Sequence, residues 1–412
     1  MFVLTSDQIK AKGVILQSIE PKNGSALLTG YAGTGKSTLL VDLVKTIQRS
    51  GLRVTVACPT HKACAVIRGI LRDRCTQVDT IHKVFGMRII SGANGINRCT
   101  KPSRHCRGVL IVDESSMLSV DLMASIEPYI ERVVYVGDPA QLPPVDSDRS
   151  PVFDKDVPRG HLEKVIRQKS DNPILELATW VRRKIERGEG ITVRELIEMA
   201  EVVDPLERNI AREPRHMIPG LISEAQKEGL DARMIGYTNV CTNKAAHEIK
   251  REITGASEMF SKGDPVFFNA PKFDHNDKIK VDNNMEDFVI SGSERLRDER
   301  SGLDYYQVQL SKLGSFKVPC DLGVYRSLLK SVQEKAGQHT LFSHDHAALL
   351  RHLKSEFADI RINHAMTIHK SQGSTFDCVA VDLRDVFGMR ENLLQGLYVA
   401  ITRPSKYLVL GC

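Results

Sequence analysis

A glycine-rich segment, Gly30–Ser37, has the residue types and spacing that hold the phosphates of a nucleotide. It fits the pattern G-x-x-x-x-G-K-[ST] and lies between an apolar run, Ser25–Thr29, and a helical pattern, Lys36–Gln48. Its glycines let backbone N–H groups turn toward phosphate oxygens, and the start of the helix adds the positive end of the helix dipole. Lys36 can reach the β- and γ-phosphates, and the Ser37 hydroxyl can ligate Mg²⁺. The predicted nucleotide contacts of this loop are Gly33, Thr34, Gly35, Lys36, Ser37 and Thr38.

Two acidic residues at the end of another apolar run supply the partners that such a loop needs. Val109–Val112 is followed directly by Asp113 and Glu114. An Asp at the end of a strand can hold Mg²⁺ through its water shell, and the adjacent Glu can accept the proton of an attacking water. An isolated Asp-Glu pair is commonly only an acidic turn, but the phosphate loop requires a metal partner. Because a small-molecule kinase needs no water-activating Glu at this point, the pair favours nucleotide hydrolysis.

Short apolar runs alternate with helical patterns through the first third of the chain. The segments Arg53–Ala57, Val109–Val112 and Arg132–Val136 are predicted strands. After the first of them, apolar side chains recur at helical spacing at Ala63, Val66, Ile67 and Ile70. This alternation predicts an α/β fold with parallel sheets that are covered on both faces.

Two segments interrupt the alternation. A β-hairpin is predicted at about 86–106, where two short apolar strands flank a turn rich in glycine and asparagine. From about 262 to 357 the sequence is less regular, with hydrophilic stretches such as 291–301, and we interpret it as an insertion of short strands and helices. A second parallel sheet is indicated before this insertion, at Arg233–Tyr237, and after it, from 361 to 410.

Composition is typical of a soluble globular protein. Of 412 residues, 42% are hydrophobic and 26% are charged, and 57 Lys and Arg against 51 Asp and Glu leave a formal charge of +6. The length predicts two or more domains. The mild positive charge permits nucleic-acid binding without requiring it. The sequence lacks a leader pattern at its N-terminus and an apolar run of about 18 residues, so we expect a protein that is neither secreted nor membrane-spanning.

The cysteines and histidines give little indication of a metal centre. The nine cysteines are odd in number and form no C-x-x-C pair, so we expect reduced thiols in a cytosolic protein. Cys99, His105 and Cys106 match no zinc spacing. The histidines at 339, 344, 346 and 352 are more typical of a solvated helix and turn than of a metal site.

Further segments carry a family resemblance. Gly137–Val145, which contains Gln-Leu-Pro-Pro, resembles helicase motif III of superfamily 1B in the form found in the RecD and Dda branch. Thr367–Gly373, which contains His-Lys-Ser-Gln-Gly, resembles motif V of that branch and differs from the UvrD-like form. The resemblance runs from residue 4 to 403 and is nearest to Dda-type phage helicases. The other motifs, in the order of the family, are Leu4–Gln8 (the adenine-reading Gln), Cys58–Ala63 (Ia), Thr80–His82 (Ib), Leu162–Gln168 (IV) and Tyr398–Arg403 (VI).

The resemblance implies two RecA-like P-loop domains with parallel sheets. Domain 1A would comprise residues 1–160, with the hairpin at 86–106 inserted as the strand-separating pin 1B. Domain 2A would comprise residues 161–412, with about 262–357 inserted as an SH3-like, β-rich domain 2B. The sequence of this second insertion diverges from the family, so its position alone is predicted.

The resemblance also implies roles around the nucleotide. Gln8 would hydrogen-bond adenine, since an amide offers both a donor and an acceptor. Gln141 would sense the γ-phosphate or its water, and Arg167 and Arg403 would reach the transferring phosphate from the second domain, a task suited to a planar, permanently charged guanidinium. A surface ion pair is the alternative for either arginine taken alone. With ATP and Mg²⁺ as the predicted ligands, the catalytic set is completed by Lys36, Asp113 and Glu114, and the metal ligands would be Ser37 and Asp113.

A single DNA strand would cross loops that gather at one edge of each sheet. Hydroxyl and imidazole groups can bond phosphate oxygens without reading the bases. A turn or helix-capping role is the alternative for roughly half of these residues taken singly. The predicted DNA contacts are Pro59, Thr60, His61, Thr80, His82, Asn239, Thr367 and His369.

The predicted pin has strands at Met87–Ile90 and Ile96–Thr100. Basic side chains along it can guide a displaced phosphate backbone. Aromatic residues are only 6% of the chain, so base stacking cannot be widespread. The basic residues of the pin are Arg88, Arg98, Lys101 and Arg104, and the aromatic candidates for stacking, each better suited to a core, are Phe85, Phe267 and Phe268.

The predicted function is an ATP-dependent DNA helicase that translocates 5′-to-3′ on single-stranded DNA and unwinds duplexes, with the direction implied by the resemblance alone. The alternative is a DNA-dependent ATPase translocase that displaces proteins or remodels forks with little unwinding. A P-loop kinase or switch protein is disfavoured, because motifs V and VI imply a second domain with its own arginine. The residues do not separate DNA from RNA. The expected partners are single-stranded and forked DNA, and replication or recombination proteins. The resemblance also implies a monomer that acts in the cytoplasm, encoded by a phage and active in its host.

Overall fold

A computed structural model describes residues 4–72, 75–91, 97–144, 147, 149–164, 172–273, 279–281, 287–336 and 343–412. The chain forms two compact units. The first comprises 1–87, 101–242 and 366–412, and the second comprises 88–100 and 243–365. The predicted arginine Arg167 and the turn of the predicted hairpin lie outside the described residues.

The strands of the described chain, in order, are β1 (Ser25–Gly30), β2 (Val54–Cys58), β3 (Gln77–Thr80), β4 (Ile89–Ser91), β5 (Asn97–Cys99), β6 (Cys106–Val112), β7 (Ile130–Gly137), β8 (Arg159–Leu162), β9 (Ile210–Glu213), β10 (Ala232–Gly236), β11 (Pro265–Phe268), β12 (Lys272–Phe273), β13 (Ile279–Val281), β14 (Phe288–Arg297), β15 (Asp304–Leu310), β16 (Gly314–Pro319), β17 (Ile360–Ile362), β18 (Ala365–Thr367), β19 (Phe376–Asp382) and β20 (Pro404–Gly411).

The α-helices of the described chain are α1 (Ser6–Ile19), α2 (Lys36–Arg49), α3 (His61–Leu71), α4 (Ile81–Val84), α5 (Val120–Ile126), α6 (Pro173–Arg187), α7 (Val193–Val203), α8 (Ile218–Lys227), α9 (Asn239–Thr254), α10 (Leu322–Ala336), α11 (Ser343–Glu356), α12 (Ile368–Ser371), α13 (Leu383–Val386) and α14 (Leu393–Ile401). Short 3₁₀ turns lie at Ser115–Met117, Glu127–Tyr129, Pro151–Asp154 and Arg215–Met217.

The first sheet has six strands in the order β3-β2-β6-β7-β1-β8, and its neighbouring strands are parallel. Its central strands are buried on both faces, which explains why they are continuous apolar runs. Because the carboxyl ends of parallel strands meet at one edge, the segments that follow β1, β2, β3, β6 and β7 gather there. Apart from Gln8, which lies in α1, and Thr80, the last residue of β3, the predicted nucleotide and DNA residues of the first half of the chain lie in these segments.

The second sheet has five strands in the order β18-β10-β19-β20-β9. The pairs β10–β19, β19–β20 and β20–β9 are parallel. The α/β fold with parallel sheets that the sequence predicted is therefore confirmed.

Helix α6 illustrates how the second sheet is covered. Asn172 caps its N-terminus by accepting a hydrogen bond from the Ile174 N–H, Pro173 occupies its first turn, and Gly188 ends it with φ 64°. Its apolar stripe, Ile174, Leu177, Ala178 and Val181, is buried in the core of this sheet. Arg182 follows that stripe and is also buried, which the pattern of apolar residues did not predict.

The second unit contains an antiparallel sheet in the order β16-β15-β14-β11-β17. Leu303, Tyr305 and Phe357 form a small apolar core with residues of α10 and α11. The buried Asp298, in the turn between β14 and β15, accepts hydrogen bonds from Ser301 and Lys317 and contacts His352 Nε2 at 3.0 Å. Burial alone would raise the pKa of Asp298, but the hydrogen bonds from Ser301 and His352 outweigh burial and hold that pKa well below its ordinary value.

The predicted hairpin is present as an antiparallel pair, β4 with β5, within the second unit. Its strands are shorter than Met87–Ile90 and Ile96–Thr100. Met87 does not take part, because its N–H donates to the His82 carbonyl at 2.8 Å and its side chain is buried in the core of the first unit.

Candidate functional site

The glycine-rich loop joins β1 to α2 at the carboxyl edge of the first sheet. Gly33 and Gly35 have φ of 79° and 78°, in the left-handed region that glycine tolerates best. Lys36 Nζ donates to the carbonyls of Gly30 (2.8 Å) and Tyr31 (3.0 Å). The loop therefore has the backbone form that the phosphate-binding pattern predicts, with its lysine held against it. Ser37 and Thr38 lie half-buried in the first turn of α2.

Gln8 lies beside this loop, but its amide is already engaged. Oε1 accepts the Thr5 N–H at 3.0 Å, which completes a capping box at the start of α1. Nε2 donates to the carbonyls of Thr34 (3.2 Å) and Gly35 (3.4 Å), and the side chain is 1% exposed. The structure thus brings Gln8 to the glycine-rich loop, where its amide hydrogen-bonds the loop backbone.

Asp113 and Glu114 end β6 at the same edge of the sheet. Burial raises the pKa of Asp113 to about 7, the charge of Glu114 adds to the rise, and nearby Lys36 opposes it. A buried carboxyl that is so costly to ionise alone favours a cation beside it, which fits the predicted Mg²⁺ ligand. Glu114 has φ 52° and ψ 41°, a conformation uncommon outside glycine and enriched at functional sites.

Gln141 follows β7 in a turn built around Asp138. The Asp138 carbonyl accepts the Gln141 N–H at 3.1 Å, and its Oδ1 accepts the Ala140 N–H at 3.0 Å. Gln141 is 6% exposed, and its Oε1 has no hydrogen-bond partner among the described residues. Because an unsatisfied buried carbonyl is costly, this atom fits an acceptor that is used when water or nucleotide is bound.

A buried polar cluster surrounds Asp138. Arg182 Nη1 forms an ion pair with Asp138 Oδ1, and the Tyr398 hydroxyl donates to Asp138 Oδ2 at 2.9 Å. The same hydroxyl accepts the N–H of Ala32, in the glycine-rich loop, at 2.9 Å. The sequence places Tyr398 in motif VI without indicating a role for it, and a role for Arg182 was not predicted. The sequence feature that could have revealed Arg182 is its position, because it continues the helical spacing of the apolar stripe of α6.

Of the two predicted phosphate-reaching arginines, only Arg403 is among the described residues. Arg403 is 7% exposed, and its guanidinium donates to the carbonyls of Val399 (2.9 Å) and Ser374 (3.0 Å) and to the Thr402 hydroxyl (2.9 Å). Arg167 lies outside the described residues. Among the described arginines, Arg182 contacts the loop directly, with its guanidinium carbon 4.0 Å from the centre of the Tyr31 ring.

Two strand–helix junctions carry the same tripeptide, Thr-Ile-His. Thr80 joins β3 to α4, and Thr367 joins β18 to α12; β3 and β18 are edge strands of their sheets, each beside a strand that leads into a longer helix. The threonines have nearly the same backbone, φ −65° and ψ 151° for Thr80 and φ −76° and ψ 155° for Thr367. Neither side chain makes a helix-capping hydrogen bond. The two sheets therefore present equivalent junctions.

Other predicted DNA contacts are the histidines of these junctions and the residues of motif Ia. His82 is half-buried and His369 is exposed, although neighbouring atoms partly desolvate His369 and lower its pKa. Thr60, which follows Pro59 and precedes His61, caps α3 by accepting the Ala63 N–H at 3.2 Å, so the capping alternative holds for this residue.

Motif Ia and motif V lie close together in the first unit. A side-chain carbon built on Gly373 would be 3.8 Å from Thr60 Oγ1, and Gly373 itself has φ 74°. Asn239, at the start of α9, is exposed. Residues from both sheets thus meet near Thr60.

The remaining candidates have simpler explanations. Phe85 and Phe268 are buried in cores, as predicted, and Phe267 is half-buried. Within the described chain, no cluster of three or more His, Cys, Asp and Glu residues is suited to a metal ion. A Mg²⁺ ion that uses one carboxylate, a hydroxyl and phosphate oxygens needs no such cluster. No described helix has both the length and the apolar character to cross a lipid bilayer.

Comparison with known proteins finds family models and helicases that are similar to this chain. An AAA domain family model matches residues 4–198, and a UvrD-like helicase C-terminal domain model matches residues 363–410. The ATP-dependent DNA helicase dda of Enterobacteria phage T4 is 24% identical over 97% of this chain and 97% of its own length. The ATP-dependent RecD2 DNA helicase of Deinococcus radiodurans is 35% identical over 37% of this chain and 21% of its own length. The Pif1 helicase from Candida albicans has a similar fold, with a TM-score of 0.52 and 18% identity over 100% of this chain and 94% of that chain.

Proposed function

Since this chain belongs to the RecD- and Dda-like family of superfamily 1B helicases, we propose that it is an ATP-dependent DNA helicase that moves 5′-to-3′ along single-stranded DNA and unwinds duplex DNA. The observation that carries the proposal is the repeated Thr-Ile-His junction on two parallel sheets, one of which also has a complete nucleotide loop. A kinase or a switch protein has no use for the second junction. A motor needs contacts of one kind on each of two bodies.

ATP hydrolysis is proposed at the carboxyl edge of the first sheet. Lys36 exchanges its bonds to the Gly30 and Tyr31 carbonyls for the β- and γ-phosphate oxygens. Glu114 accepts the proton of the attacking water, and the unpaired Gln141 Oε1 orients that water. Ser37 and Asp113 are suited to hold Mg²⁺, which supplies positive charge opposite the developing negative charge.

The single strand is proposed to cross the two junctions and motif Ia. Thr80 and Thr367 offer hydroxyls that make no helix-capping bond, and His82 and His369 offer imidazoles beside them. These groups bond phosphates and ignore base edges, as movement along any sequence requires. Thr60 also has a capping role, because its hydroxyl oxygen accepts the Ala63 N–H, and its O–H can still donate to a phosphate oxygen.

Strand separation is assigned to the hairpin of β4 and β5. The exposed Arg88, with Lys101 and Arg104 after the hairpin, offers positive charge to a displaced strand. The hairpin segment 88–100 and residues 243–365 form one compact unit, which supports a role for the second insertion in holding the pin.

Two assays test the proposal. ATP hydrolysis is measured with and without single-stranded DNA, and strand displacement is measured on duplexes with a 5′ or a 3′ single-stranded tail. We expect DNA-stimulated hydrolysis and unwinding from the 5′ tail only. Unwinding from a 3′ tail alone would contradict the direction. Stimulated hydrolysis without unwinding from either tail would favour a translocase that displaces proteins.

The hairpin gives the matched variant for this experiment. Replacing 88–100 by a short glycine-containing turn should leave DNA-stimulated hydrolysis intact and abolish strand displacement, because the nucleotide site lies in the other unit. Undiminished unwinding by this variant would show that the strands are separated elsewhere.

A further inference from the structure

We propose that Tyr398 and Arg182 are positioning residues for ATP hydrolysis, acting through Asp138 on Gln141 and through Ala32 on the nucleotide loop. The inference rests on the proposed ATPase function and assigns to it two residues that lie on helices of the second sheet, α14 and α6. Hydrolysis on the first sheet thereby depends on the packing of the second sheet against it.

The Tyr398 hydroxyl is the junction of this arrangement. It donates to Asp138 Oδ2 and accepts the Ala32 N–H, each at 2.9 Å, and the side chain is 1% exposed. Burial raises the pKa of Tyr398, so the hydroxyl keeps its proton and remains a donor. One hydroxyl therefore connects the backbone of the nucleotide loop to the turn that carries Gln141.

Arg182 completes the contacts of the Asp138 carboxylate, which is fully buried. A buried carboxylate without a cationic partner is strongly destabilising, so this ion pair fixes where Asp138 can lie. The guanidinium also lies 4.0 Å from the centre of the Tyr31 ring, and its Nε donates to Glu186 Oε1 at 2.9 Å. Arg182 thus touches the nucleotide loop as well as the turn.

Asp138 transmits this placement to Gln141. Its Oδ1 and its carbonyl accept the N–H groups of Ala140 and Gln141, which shapes the turn. Ala140 and Leu142, on either side of Gln141, are buried in the core of the second sheet, and Ala32 packs against that core. The unpaired Gln141 Oε1 is therefore oriented by contacts that come from the second sheet.

Replacing a buried ion pair by apolar side chains is often neutral or stabilising, so stability alone does not explain this cluster. Its members contact the nucleotide loop on one side and the turn of Gln141 on the other. A polar cluster between two parts of a catalytic site serves to fix their relative positions.

The test uses Tyr398→Phe, which removes the hydroxyl and keeps the ring. We expect kcat for DNA-stimulated hydrolysis to fall roughly tenfold, as for the loss of positioning hydrogen bonds, with KM for ATP nearly unchanged. In the nucleotide-free protein, amide hydrogen exchange of the loop segment 30–35 should become faster, because the Ala32 N–H loses its acceptor. Arg182→Lys should lower kcat in the same direction and keep part of the activity through its charge.

Controls and a double variant make the result decisive. Arg183→Ala, on the exposed side of α6, and Tyr407→Phe, on an exposed tyrosine, should match the wild type. If Tyr398 acts through Gln141, adding Tyr398→Phe to Gln141→Ala should cost much less than it costs alone. Wild-type kcat and exchange in Tyr398→Phe, or a lower melting temperature with unchanged kcat, would overturn the inference. If the wild-type protein hydrolyses no ATP with DNA present, the proposed function fails instead.

Discussion

Replacing Gln8 with alanine separates two roles for this residue. The family resemblance predicts that its amide reads adenine. In the structure the amide is bound to Thr5 N–H through Oε1 and to the carbonyls of Thr34 and Gly35 through Nε2. These contacts support the shape of the nucleotide loop whatever base is bound. We therefore expect Gln8→Ala to weaken the binding of ATP and GTP to the same extent.

The size of the effect follows from the bonds that are lost. Each neutral hydrogen bond contributes about 1 kcal/mol net, so the two bonds to the loop amount to about 2 kcal/mol, or about 30-fold in an equilibrium constant. The bond from the Thr5 N–H is lost in addition, which breaks the capping box and destabilises the start of α1 separately from nucleotide binding. About 30-fold is thus the upper limit for the weakening of nucleotide binding.

The assay is equilibrium binding of ATP and GTP analogues that are not hydrolysed, with melting temperature measured in parallel. Gln17→Ala is the matched control, since Gln17 is an exposed glutamine on the same helix. The ratio of ATP to GTP affinity should be the same in Gln8→Ala as in the wild type. A large loss for ATP with none for GTP would refute this reasoning and assign Gln8 to adenine.

Three other changes test the remaining assignments. Glu114→Gln should bind ATP normally and hydrolyse it at least about a hundredfold more slowly, because the proton acceptor is lost; a normal rate would remove Glu114 from this role. If Arg403 reaches the transferring phosphate, as the family resemblance implies, Arg403→Ala should lower kcat by about a thousandfold with a much smaller loss of nucleotide binding; a fall in melting temperature with unchanged kcat would show that Arg403 stabilises the fold and has no role at the phosphate. Asp298→Asn should lower the melting temperature at pH 7, since a carboxylate with a depressed pKa contributes stability above its unfolded value of about 4. That difference should shrink as the pH falls below about 4, and a difference independent of pH would contradict the ionic explanation.

The first sheet and its nucleotide loop could be predicted closely from the sequence. The predicted strand Ser25–Thr29 and helix Lys36–Gln48 each end one residue short of β1 and α2. Buried parallel strands are continuous apolar runs, and the glycines and the lysine of the loop have fixed spacing, so local signals were sufficient.

The second insertion could not be predicted in detail, because its longest strand, β14, is mostly polar. The hydrophilic stretch 291–301 is mostly strand β14, which pairs with β15 from Ile290 to Arg297. Its residues from Gly292 onward are half-buried or exposed, so no alternation of apolar and polar side chains marks it. Backbone pairing with β15, which no local pattern shows, holds it in place.

The contacts of the site were the least predictable, since they join residues far apart in sequence. Gln8 and the Thr34 carbonyl are separated by 26 positions, and Tyr398 and Asp138 by 260. The residue types were readable, and Arg182 in the stripe of α6 was a visible anomaly. Which group each would contact depends on how the two sheets pack.

The near-identity of the two Thr-Ile-His junctions bears on how a direction of travel arises. If both junctions bind the phosphodiester strand, as proposed, their shared residues and backbone form would give them a similar grip on it. A motor whose two DNA-binding junctions are equivalent has no intrinsic direction of movement. The direction of movement would then come from a difference between the two sheets outside these junctions. One such difference is the glycine-rich loop, which is attached to the first sheet alone. Exchanging His82 and His369 for other hydrogen-bonding side chains should then change speed and slippage before it changes direction.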